Sequence, residues 1–200
     1  MKHSLIIAIA GVVLVGMTNT VLGAVKDYDV MLTTQGPSGT LKAHLGFGQS
    51  CAVNWHDGCM NFDVNTVGII TFYLPGPPDR LTCVNPVDPG KVAKKVITKI
   101  ELTDKPLDGG ATAPKGDFKG GLADTWLKKY AFPQVDQATG VLYDVDVNDG
   151  LARITLVNLN SHPFQSSVTK PFWYRVTVTD CEPPHNTWET DPRGDNKGLN

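Results

Sequence analysis

The chain has 200 residues and a formal net charge of −2, with charged side chains making up only 19% of it. So weak a balance, with no basic patch and no long run of like charge, argues against nucleic acid as a partner. The length suits a single globular domain able to bury a real core, and 20 glycines with 14 prolines anticipate many turns.

Taken from the N-terminus, Met1–Gly23 has the order of a secretory signal peptide. Lys2 supplies a positive start, Ser4 to Met17 is apolar, and the small residues around Val21 and Gly23 suit cleavage before Ala24. The apolar run is shorter than the roughly 18–20 residues needed to span a bilayer. No cysteine stands at the cleavage point to take a lipid, and no later segment is apolar enough to span. The expectation is a secreted or periplasmic protein with no membrane span once the signal is removed.

The first strand is predicted in "DYDVMLTT", where Tyr28, Val30 and Leu32 share one face by their period of two. "LKAHLGF" follows as a short strand. Next comes "SCAVNWHDGCM", Ser50 to Met60, the densest collection of reactive side chains in the sequence. Its two cysteines are separated by seven residues, which is neither the C-x2-C spacing of a zinc finger nor a thioredoxin or haem motif. In an exported chain the four cysteines, Cys51, Cys59, Cys83 and Cys181, read as two disulfides. Three pairings are open to them. Cys51–Cys59 around the turn-forming "NWHDG" and Cys83–Cys181 across a long loop are the favoured ones. The alternative for this segment is a copper site built from His56, Asp57 and Met60, with His44 from the preceding strand.

"TVGIITFYL" is apolar on both faces, as in a central strand, with Ile70, Phe72 and Leu74 opposite Val67, Ile69 and Tyr73. "KKVITKIELTD" directs Val96, Ile100 and Leu102 inward and Lys99, Glu101 and Thr103 outward. A long connection, Asp104 to Gly121, is dominated by Gly, Pro, Asp and Lys. It leads to the single helix-like stretch, "GLADTWLKKYAF", where Leu122, Trp126 and Tyr130 fall on one helical face. "VLYDVDV" and "LARITLVNL" alternate as two strands around "NDG", which reads as a hairpin turn with Gly150 in a left-handed conformation. Asp144, Asp146 and Asn148 at alternate positions offer a second metal reading, calcium. The spacing fails the EF-hand pattern at its sixth and twelfth positions.

The last predicted strand is "FWYRVTVTDC", with Tyr174, Val176 and Val178 inward. On that parity Trp173 and Arg175 share the outer face, where they form a candidate contact surface for another protein or a carbohydrate. Residues 182–200 carry two consecutive prolines and, before the very end, one large apolar side chain, Trp188, and are expected to be an extended or disordered tail. The tripeptide Arg193–Asp195 within it is a chance match to an adhesion motif.

About seven strands and one short helix in a long connection predict an all-β fold, an antiparallel β-sandwich of immunoglobulin-like or related type over residues 24–181. Ser50 lacks the closing glycine of a nucleophile elbow. Zinc-protease, phosphate-loop and dinucleotide motifs are missing as well. The expected function is therefore an exported, non-catalytic binding or structural module stabilised by disulfides, with no cofactor. A periplasmic copper- or calcium-binding protein and an enzyme without a recognisable motif are the alternatives.

Overall fold

The computed structural model describes residues 24–37, 39–45, 60–76, 82–84, 90, 92–103, 126–133, 141–144, 150–163, 170–190 and 193–198. Among them are ten strands: β1 (Ala24–Gln35), β2 (Gly39–Leu45), β3 (Met60–Phe62), β4 (Thr66–Tyr73), β5 (Lys95–Thr103), β6 (Val141–Asp144), β7 (Arg153–Asn158), β8 (Lys170–Asp180), β9 (Thr187–Thr190) and β10 (Arg193–Asn196). The seven expected strands are β1, β2 and β4–β8; β3, β9 and β10 are additions.

Hydrogen bonds link the strands in the order β3-β10-β8-β9-β2-β1-β4-β7, with β5 on the other side of β8 and β6 beyond it. The protein is all-β as expected, but the expectation of an antiparallel arrangement is corrected. β1 runs parallel to β4, β10 to β3 and β2 to β9, while the other pairings are antiparallel. Parallel neighbours need a crossover rather than a tight turn. A strand's apolar period says which face is inside, not which neighbour it takes.

The core follows the alternation closely. Tyr28, Val30 and Leu32 of β1, Ile70 and Phe72 of β4, and Ile154 and Leu156 of β7 are buried against Phe172, Tyr174, Val176 and Val178 of β8. Phe72 and Tyr174, on strands that do not pair, bring their rings to 5.3 Å. Each such large side chain contributes roughly 1.5–3 kcal/mol by leaving water. In β5 the phase changes. The register shifts between Ile97 and Lys99, so Ile97 joins the main core together with Ile100 and Leu102. Val96, expected to share their face, is buried outside that cluster, where a Cβ on Gly150 would strike it. One extra residue in a strand reverses the parity of everything before it.

Three local expectations are overturned. The helix-like stretch forms a π-helical turn at Leu127–Ala131, and its buried side chains are Leu127, Ala131 and Phe132. Trp126 and Tyr130 are only half-buried, and Leu122 lies outside the described residues. A π-turn spans five residues, so the period of four misplaces the face. Among the described residues β6 pairs with β5 and β7 with β4, and not with each other as the expected hairpin requires; Asn148 and Asp149 of "NDG" lie outside them. Gly150 is buried and has no positive φ.

The third correction concerns the tail. β9 pairs with both β8 and β2, and β10 lies between β8 and β3. Trp188 is only 2% exposed and donates its indole N–H to the Gly36 carbonyl (3.2 Å). Backbone pairing, rather than apolar content, holds this polar segment, and composition does not report it. Gly194 packs so closely on the Phe172 ring that a Cβ there would overlap it. The boundary expected at residue 181 therefore does not separate a folded body from a loose end.

Candidate functional site

One end of the molecule carries an open groove of about 640 Å³, lined by Leu32, Thr34, Leu74, Val92, Ala93 and Lys95 among others. That size lies within the range of small-molecule sites. Three pieces of chain build it. The first is the C-terminal half of β1, where alternation points Leu32 inward. The second is the exit of β4, fixed by a hydrogen bond from the Leu74 N–H to the Ala152 carbonyl (2.9 Å). The third is the approach to β5, where Ala93 donates its N–H to Thr82 (2.8 Å) and Lys94 accepts one from Cys181 (2.9 Å).

Those last two bonds flank the Cys83–Cys181 disulfide, whose Cα atoms are 5.3 Å apart. The crosslink thus ties the groove's third wall to the end of β8. Val92 on this wall is exposed.

Lys95 is the charged group fixed at the groove. Its Nζ donates to Thr34 Oγ1 (2.7 Å) and stands 4.1 Å from the centre of the Trp188 ring. A hydroxyl and an aromatic face together restrict where the ammonium points. Lys94 beside it is exposed. The arrangement is an apolar trough with a positioned cation, suited to an apolar body carrying one negative group.

The residues singled out from sequence are dispersed. Trp173 and Arg175 do share a face, but Trp173 is only 6% exposed and is corrected from a surface aromatic to a buried one. It lies between β5 and β10, paired in register with Thr103 and Arg193. A strand flanked on both sides leaves an aromatic ring less open than the parity rule assumes. Arg175 forms an ion pair with Glu189 (3.8 Å) across β8 and β9.

Met60 is fully buried in the core through β3. His44 is exposed, and its Nε2 shares a hydrogen bond with Thr33 Oγ1 (2.8 Å). Among the described residues no three His, Cys, Asp or Glu side chains come together as a metal site. Cys51, Cys59, His56, Asp57 and Asp146 lie outside the described residues, as does the side chain of Asp144. Residues 1–23, expected to be the signal peptide, lie outside them as well.

A second polar constellation, not anticipated from sequence, lies at the end of β7. Asn158 and Asn196 are wholly buried and pair amide to amide (2.8 and 3.4 Å). Asn158 Oδ1 also accepts the Asn160 N–H (3.0 Å). The Asn160 amide in turn donates to the Asp63 and Thr66 carbonyls and accepts from Gly198 N–H (2.9 Å). This network locks β10 onto the body. Its one sequence signal is "NLN" at the end of an apolar strand. No protein-family model, curated protein or solved structure matches the chain.

Proposed function

We propose that the chain is an exported, non-catalytic binding module, stabilised by disulfide bonding, that takes an apolar carboxylate in the groove beside Lys95. The observation that carries this reading is the ammonium of Lys95, held by Thr34 and Trp188 at the side of an apolar trough. An ammonium has three donors, and Thr34 takes one. Export is supported by the signal-like N-terminus together with the Cys83–Cys181 disulfide, since such bonds persist in oxidising compartments. No helix of the described residues is long and apolar enough to cross a membrane. The architecture is read as a two-layer sandwich, supported by the ring contact of Phe72 and Tyr174 between unpaired strands. The parallel pairings set it apart from a purely antiparallel immunoglobulin-like order.

Calorimetric titration with decanoate, and with decanol as the neutral control, tests the proposal. Decanoate should bind at one site, and more tightly than decanol. Lys95→Met, which keeps the stem over Trp188, should weaken decanoate by about tenfold or more, because hydrogen bonds to charged groups are worth about 1.5–3 kcal/mol. Equal binding of acid and alcohol, or no change in Lys95→Met, would exclude this site chemistry.

A further inference from the structure

We infer that residues 193–198 form a strap released by acid, with His162 as the trigger held beneath its last residue. His162 follows β7 and is only 3% exposed. Among the described residues neither Nδ1 nor Nε2 has a hydrogen-bond partner, although both are buried. The ring meets the Trp126 indole edge-on, with centroids 5.6 Å apart. Gly198 closes the other side, so tightly that a Cβ on it would lie 3.0 Å from Nε2. Gly198 also has φ +86°, a conformation that other residues adopt only with strain.

The ring therefore sits in a tight slot whose cover is the strap. Neutral imidazole already leaves a donor and an acceptor unsatisfied there. Imidazolium adds a second unsatisfied donor and an unscreened charge, and a buried charge without a partner is far more costly. His162 makes no ion pair among the described residues, and the charge that reaches it from β8 is Lys170, of the same sign. On the strap, Lys197 is turned to Asp63 (2.9 Å) and Asp195 is buried in β10. On the π-helical turn, Lys129 lies over the Tyr130 ring.

Burial first, and Lys170 second, hold His162 below the ordinary histidine range. The sign follows directly. The closed strap is fully stable above about pH 6.5, the unfolded histidine value, and loses stability as pH falls toward the ring's lower folded value. Lifting the strap lets water reach the ring. It also uncovers Phe172 beneath Gly194 and the β8 edge from Lys170 to Trp173. Acid would thus open a strand edge with an aromatic at its centre.

Hydrogen exchange of residues 193–198, corrected for the intrinsic pH dependence of exchange, reads the opening. Between about pH 7.5 and about pH 5, protection of the strap should fall by up to about tenfold for each unit by which the ring's pKa is depressed. Protection in β1 and β4 should stay constant. His162→Phe should abolish the acid effect. Unchanged protection in the wild type, or the same acid effect in His162→Phe, would overturn the inference. Should the variant fail to fold, proton NMR of the wild-type imidazole decides: a ring titrating at or above about pH 6.5 is incompatible with the buried, unpartnered slot.

Discussion

Replacing Asn158 with alanine is expected to cost about 2–5 kcal/mol of stability, although it removes only a small polar side chain. Two partners lose it at once. The Asn160 N–H, in a residue with no solvent exposure, loses its acceptor at 3.0 Å. The Asn196 amide loses its partner at both its oxygen and its nitrogen. A buried group left unsatisfied costs roughly 1–3 kcal/mol, and a water occupying the vacated space can return part of that. The orphaned groups lie on both sides of the contact between β7 and β10, so the loss should appear first in the strap. Denaturant melts followed by tryptophan fluorescence give the total, and hydrogen exchange of residues 193–198 gives its location. Thr155→Ala, on the exposed face of the same strand, is the control. It gives up one hydroxyl contact with Thr71 (3.1 Å) and should cost about 1 kcal/mol or less. If Asn158→Ala costs no more than Thr155→Ala, the amide network does not hold the strap and the reasoning fails.

Other perturbations have equally definite outcomes. Truncation after Pro184 should unfold the protein or lower its melting temperature by more than about 5 °C, since it removes β9, β10 and the buried Trp188; thermal melts of the shortened chain check this. Trp173→Ala should cost about 3–5 kcal/mol, comparable with Tyr174→Ala, because both rings are buried; a loss below about 1 kcal/mol in a urea melt would return Trp173 to the surface. Replacing Cys83 and Cys181 together by alanine should cost about 4–5 kcal/mol by urea melt, since the crosslink closes a separation of 98 residues. It should also weaken ligand binding in the groove by loosening the wall at Ala93 and Lys94.

The inward face of β1, the core side chains of β4 and β8 and the existence of seven strands are legible as alternation, because a strand's period of two is local and needs no partner to be read. The long-range disulfide is legible too, since an even number of cysteines behind a signal-like N-terminus narrows its possible pairings. What the sequence conceals is non-local. The two strands of the tail are short and largely polar and exist through backbone bonds to β8 and β2, and the three-residue β3 takes its backbone partner from β10; no composition announces these pairings. Trp173 keeps its predicted face, yet flanking strands and packing remove it from water. The groove joins Leu32 with Leu74 and Lys95, residues far apart in the chain and with no shared motif. His162 beside a proline carries no local sign of burial, and it is the Trp126 ring and Gly198, distant in the chain, that close around it. Local periodicity by itself determines which side chains seek the core. Which strands become neighbours, and hence which polar groups are shut away from water with or without a partner, is decided by tertiary pairing. That pairing depends on closing long loops, whose entropy the sequence pattern does not encode.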